Sequence, residues 1–247
     1  MNIRKKGNDG MLEIKNLTKI YGDFKAVNNL SLKIDKGCIY GFIGHNGAGK
    51  TTTLKAVCGI LNFEEGEIYI DGLSIKDAPL QCKEKIAYIP DNPDLYDYLK
   101  GIDYLNFICD IFKVPSDIRT ARIHEYASKL GILDDLSSHI RSYSHGMKQK
   151  LAIISAFVHK PELIIMDEPF VGLDPKASHV LKSMMKEHCD QGGAIFFSTH
   201  VLEVAEKLCD YVAIIKGGQL VVSGRTEEVT QNDSLEDVFL ELENENS

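Results

Sequence analysis

The segment Gly44-His45-Asn46-Gly47-Ala48-Gly49-Lys50-Thr51 fits the pattern GxxxxGK[ST] and directly follows an apolar run from Cys38 to Ile43. A buried strand that feeds a glycine-rich loop and then a helix constrains the chain to an α/β core built around phosphate binding. Glycines at 44, 47 and 49 let the backbone bend tightly and bring its N–H groups against phosphate oxygens, because no Cβ stands in the way. Lys50 is placed to reach β- and γ-phosphates and Thr51 to offer its hydroxyl to magnesium. Thr52 is expected to open a helix whose N-terminal dipole favours negative charge, running to about Cys58 before Gly59. Asn46 and Ala48 fill free positions of the loop, and His45, also at a free position, reads as an ordinary loop histidine. The expected ligand is a nucleoside triphosphate with Mg2+.

A chain of 247 residues, 44% hydrophobic and 26% charged, is long enough for one large domain or a domain with a subdomain. A net charge of −8 argues against a general nucleic-acid binder, whose affinity rests on clustered Lys and Arg. The longest apolar stretch, Leu151 to Val158, falls short of the ~18 to 20 residues that cross a bilayer. No apolar segment follows the basic patch Arg4-Lys5-Lys6, so a cytoplasmic location is expected. The six cysteines form no CxxC and sit within apolar patterns, as reduced core thiols would.

Three stretches divide the sequence. From Met11 to Asp71, short strand-like runs (Met11 to Leu17, Ala26 to Ile34, Cys38 to Ile43, Glu67 to Ile70) alternate with turns. Between Pro93 and His159 the period becomes helical, with Ile102, Leu105, Cys109 and Phe112 on one face and Ile123, Ala127 and Leu130 on another, ended by Gly131. After Pro161, buried-type strands at Leu163 to Met166, Ala194 to Phe197 and Tyr211 to Ile215 alternate with helical patterns, which implies a parallel sheet. Ser234-Leu235-Glu236-Asp237 reads as a helix start, with Leu235, Val238, Phe239 and Leu242 as an apolar face. Residues 1–10 read as a flexible tail, 11–92 and 160–230 as the core, 93–159 as a helical subdomain and 234–247 as a short terminal helix and tail.

The run Leu163 to Met166 ends in the adjacent carboxylates Asp167 and Glu168. Alone, this would read as a strand ending in a solvated acidic turn. Paired with a phosphate loop, Asp167 is expected to hold magnesium and Glu168 to accept a proton from attacking water. Strand alternation would point the two acids to opposite sides, so they should differ in task.

With these motifs in this order, the chain resembles the ATP-binding subunit of an ABC transporter from about Leu12 to Leu242. The resemblance implies an α/β phosphate-loop NTPase core with a mainly parallel sheet, an N-terminal antiparallel β subdomain and an inserted helical subdomain. It implies that Tyr21 stacks on adenine and that Ser144, His145, Gly146 and Met147, in Tyr143-Ser144-His145-Gly146-Met147, form the signature segment that caps the γ-phosphate held by a partner subunit. Read without the resemblance, Ser144 is equally a plain helix N-cap. By the same likeness, Gly172-Leu173-Asp174-Pro175 runs along the dimer seam, and His200, in Ser198-Thr199-His200, contacts the γ-phosphate.

Departures from the family pattern are also present. Asp91 stands after Ile89-Pro90 where the family usually has a metal-ligating glutamine; it too is an oxygen ligand, one methylene shorter and charged. His145 replaces a usual glycine and Met147 a usual glutamine. This variant, with the ending Ser-Leu-Glu-Asp-Val-Phe, is similar to subunits of export-type (ABC-2) transporters that pair with separate membrane proteins. The implied partners are a second nucleotide-binding subunit, identical or paralogous, and an integral membrane permease docked near Asp91 and the helical subdomain. That would hold the chain on the inner face of the membrane, without nucleic acid. The competing reading is a soluble ATPase of the same type acting in assembly or regulation.

Overall fold

The computed structural model describes residues 10–231 and 233–244. Its centre is a six-stranded sheet of β3 (Ile39–Ile43), β6 (Ile86–Ile89), β7 (Leu163–Asp167), β8 (Ala194–Thr199), β9 (Tyr211–Lys216) and β10 (Gln219–Arg225), in the order β10-β9-β3-β8-β7-β6. All neighbours pair parallel except β10, which returns antiparallel along β9. Every residue of β3, β7 and β8 is buried, as expected of parallel strands covered on both faces. Side chains of β8 alternate between two cores. Ile195 and Phe197 pack with helical residues such as Leu105 and Leu151, while Ala194 and Phe196 pack with Leu54, Ile68 and Val27.

A second, antiparallel sheet contains β1 (Gly10–Tyr21), β2 (Phe24–Asp35), β4 (Glu65–Ile70) and β5 (Leu73–Ser74), ordered β2-β1-β4-β5. Its one-sided burial shows in β2, where Leu30, Leu32 and Ile34 are buried while Ser31, Lys33 and Asp35 are exposed. The expected α/β core with an N-terminal antiparallel sheet is therefore present, and the helices between 93 and 159 are α3 (Gly101–Ile111), α4 (Ser116–Leu130) and α5 (His145–Phe157). Leu105, Cys109, Ile123, Ala127 and Leu130 are buried, and Gly131 ends α4 at φ 70°, as the helical spacing predicts.

Several boundaries differ from the sequence expectations. Helix α1 (Lys50–Val57) begins at Lys50, not Thr52, because Gly49 takes a left-handed cap conformation that releases the next residue into the helix. Gly10 is already in β1, so the tail expectation ends one residue earlier, and residues 1–9 lie outside the described part. Helix α2 (Pro79–Lys85), β6, α7 (Leu202–Leu208) and β10 were not expected. Two further helices follow the expected patterns, α6 (Pro175–Asp190) and, after the short α8 (Thr226–Thr230), the terminal α9 (Leu235–Asn244). Ser234 caps α9, accepting from Asp237 N at 3.1 Å while Asp237 Oδ2 accepts from Ser234 N at 3.2 Å. Among the described residues no helix is long and apolar enough to cross a membrane, and all six cysteines are buried free thiols.

Candidate nucleotide site

The parallel register aligns the carboxyl ends of three adjacent strands, with Ile43 beside Thr199 and Asp167 beside Ser198. Loops leaving such ends converge, which is where open α/β sheets bind ligands. From β3 comes the phosphate loop. A Cβ on Gly49 would stand 2.4 Å from the Ala26 carbonyl oxygen, and φ there is 107°, so glycine is required. Gly218, in the β9–β10 turn, donates to Ala48 O at 3.0 Å and braces the loop from behind. His45 is more than a free position. Its ring meets Phe239 of α9 edge-on at 4.8 Å.

Lys50 is buried, and its ammonium donates to the carbonyls of Gly44 at 2.6 Å and His45 at 3.3 Å. Thr51, in the first turn of α1, donates its hydroxyl to Asp167 Oδ2 at 2.6 Å. Asp167 Oδ1 accepts from Ser198 Oγ at 2.5 Å, and that same hydroxyl accepts from Glu168 N at 3.1 Å. Ser198 thus ties the Asp167 carboxylate to the backbone of Glu168.

Strand alternation does not separate the two acids. Strand β7 stops at Asp167, and Glu168 takes φ 47°, a left-handed turn that swings its carboxylate into the cavity that Asp167 also lines. Glu168 Oε1 lies 3.6 Å from Lys50 Nζ and 3.0 Å from His200 Nδ1 yet accepts no hydrogen bond. It is a buried acceptor beside two potential cations.

The cavity is about 330 Å3 in volume and is lined by Tyr21 and Phe24 from the first hairpin, by the phosphate loop and by Asp91, Asp167 and Glu168. Tyr21 and Phe24 face one another across the hairpin register, and the Lys19 ammonium sits 5.1 Å from the Tyr21 ring. Phe24 and Ser198 escaped the sequence reading. The available signals were an aromatic two residues past Gly22 and a polar residue at the end of an apolar strand beside the carboxylates.

No group of three or more His, Cys, Asp or Glu is arranged to hold a metal ion among the described residues. Thr51, Asp167 and Asp91 nevertheless bring hard oxygen donors to one cavity. Magnesium at nucleotide sites takes one or two protein ligands and completes its shell with phosphates and water, so this donor set fits that ion.

Ser144, His145, Gly146 and Met147 lie elsewhere, at the head of α5. Ser144 Oγ caps this helix by accepting from Met147 N at 3.2 Å. A Cβ on Gly146 would stand 2.7 Å from the Gly172 carbonyl, and one on Gly172 2.5 Å from the His145 ring. Asp174 caps α6 through Ala177 N at 2.8 Å and pairs with Lys150 at 2.8 Å. The Lys150 ammonium holds the Asp174 carboxyl below the usual carboxylate range. So the signature-like segment packs on Gly172, Asp174 pairs with Lys150 of α5, and none of residues 144–147 lines the cavity of the phosphate loop.

A family model described as ABC transporter matches residues 27–171. This chain belongs to the ABC transporter family. Relatives of this chain are named as ABC transporter ATP-binding proteins. EcsA of Bacillus subtilis, an ABC-type transporter ATP-binding protein, is 31% identical over 96% of this chain and 98% of its own length. The linearmycin resistance ATP-binding protein LnrL of the same organism is 32% identical over 87% of this chain and 69% of its own. A solved ATP-binding subunit of an ABC transporter superposes with a TM-score of 0.90 at 33% identity, covering 94% of this chain and 99% of that one. The ABC transporter fold, ATP binding and the ATPase class follow from this membership.

Proposed function

We propose that this subunit hydrolyses ATP between two head-to-tail nucleotide-binding subunits and drives a separate membrane permease, in the direction of export. One observation carries the ATPase reading. A Glu168 oxygen that accepts no hydrogen bond lies beside Lys50 and His200, next to a Thr51–Asp167 pair at the mouth of a phosphate loop. Lys50 neutralises charge on the β- and γ-phosphates and leaves its two loop carbonyls to do so. The backbone N–H groups of residues 44–51 cradle the phosphate oxygens and fix the line of attack. His200 orients water and γ-phosphate, and Glu168 Oε1 accepts the water proton. Tyr21 gives the adenine a stacking face. Thr51, Asp167 and Asp91 would hold magnesium, which would supply charge neutralisation of the phosphates.

The two-subunit arrangement is supported by the absence of residues 144–147 from the lining of the phosphate-loop cavity. A serine and glycine N–H groups at a helix head form an anion site outside that cavity, open to a nucleotide held by another subunit. Export is supported by likeness to a linearmycin resistance ATP-binding protein. The transporter names of the relatives favour this reading over a soluble assembly ATPase. Asp91 and the helices of 93–159 form the docking surface for the permease, which holds the subunit at the inner membrane face. Affinity capture of tagged chain from gently solubilised membranes tests the reading. A stoichiometric multi-span partner is expected, and recovery of soluble partners alone would overturn it.

A further inference from the structure

Gln149 lies on α5, two residues beyond Met147, and is wholly buried. Its amide nitrogen donates to the Pro169 carbonyl at 3.4 Å, while its amide oxygen has no hydrogen-bond partner. Turning the amide over would set that oxygen against the Pro169 oxygen, so one acceptor fixes its orientation. An unpaired oxygen at a fully buried position costs stability relative to an apolar side chain of the same shape. Stability is therefore no reason for a glutamine here.

The acceptor belongs to the residue that follows Glu168. Glu168 is held at φ 47°, a conformation that a residue with a Cβ enters only when its surroundings impose it. On one side its N–H is held by Ser198 Oγ at 3.1 Å. On the other, Gln149 grips the adjoining Pro169. The Lys150–Asp174 pair at 2.8 Å and the tight Gly146–Gly172 approach lock the head of α5 onto the same turn.

We propose that Gln149 is a positioning residue for Glu168. It holds the left-handed turn that aims Oε1 into the cavity, and it links the segment 144–147 to the carboxylate of the same chain. A shift of the α5 head, as when that segment meets a nucleotide on another subunit, would be transmitted to Glu168 through this amide. The proposal rests on the reading of Glu168 as the proton acceptor.

Gln149→Met keeps volume and removes the donor. We expect kcat to fall about tenfold or more, since small misplacements at a reacting centre are costly, with KM for ATP within about twofold and Tm within about 3 °C. In single-turnover assays the same change on a Glu168→Gln background should cause no further loss, because a residue acting through Glu168 has nothing left to position. If Gln149→Met fails to fold, Gln149→Asn, which keeps an amide with shorter reach, should show the same split of kcat from KM. Unchanged kcat, or an equal further loss on the Glu168→Gln background, would overturn the proposal and leave the role of Glu168 standing. Wild-type turnover by Glu168→Gln itself would overturn both.

Discussion

Thr51 and Asp167 are 116 residues apart in the chain and share a hydrogen bond of 2.6 Å. The bond joins the first turn of α1 to the end of β7, so one contact sets the phosphate loop against the carboxylate strand. Ser198 continues it from β8, reaching Asp167 at 2.5 Å and Glu168 N at 3.1 Å. Three loops of the sheet are thereby fixed to a common point. Replacing the hydroxyl in Ser198→Ala should leave Asp167 Oδ1 and Glu168 N without that partner. The expected cost is about 1–3 kcal/mol in denaturant unfolding, together with a lower kcat. Unchanged stability and turnover would show that the bridge is idle.

Lys50 is the buried cation nearest Glu168 Oε1. Lys50→Ala removes the charge that faces developing negative charge on the phosphates, and we expect hydrolysis to fall by ~10²–10³-fold with weaker ATP binding. Steady-state ATPase assays and equilibrium nucleotide binding measure the two effects separately. Folding should be retained, because the ammonium is held only by loop carbonyls in addition to Glu168.

The helical region carries its own pH dependence through His159. Its ring stacks on Phe112 at 3.7 Å, Nδ1 lies 3.1 Å from Ser155 O, and burial pushes its pKa from 6.5 down to about 4. The folded protein holds this ring neutral while the unfolded chain takes up a proton below pH 6.5. Stability is therefore fully present above 6.5 and is lost as pH falls from 6.5 to about 4, by roughly 3 kcal/mol. His159→Phe keeps the stacking and removes the titration. Chemical denaturation from pH 7 to pH 4 should show a shallower loss in this variant, and an identical slope would remove His159 as the cause.

Local pattern made much of this molecule legible. The phosphate loop, the carboxylates at the end of β7 and the buried faces of α3 and α4 each follow from residue type and spacing within one element. What was not legible depends on long-range packing. The left-handed turn at Glu168 puts both acids in one cavity, and strand alternation alone predicts the reverse. Ser198 matters because β7 and β8 are neighbours in register, a pairing that no short segment encodes. The contact of Phe239 with His45 joins residues near opposite ends of the chain. Strand β10 did leave a local trace, since Gly217-Gly218 is a hairpin turn signal followed by Leu220 and Val222 at alternate positions.

The central claim is that one chain's phosphate loop and another's Ser144 segment enclose the same ATP. It is tested most directly by measuring the molar mass of Glu168→Gln in solution with ATP and Mg2+, by light scattering after size separation. The account predicts that ATP converts this variant to a stable dimer that ADP does not support, and that adding Ser144→Arg abolishes the dimer. A monomer under saturating ATP, in a variant that still turns over ATP at the wild-type rate, would contradict it.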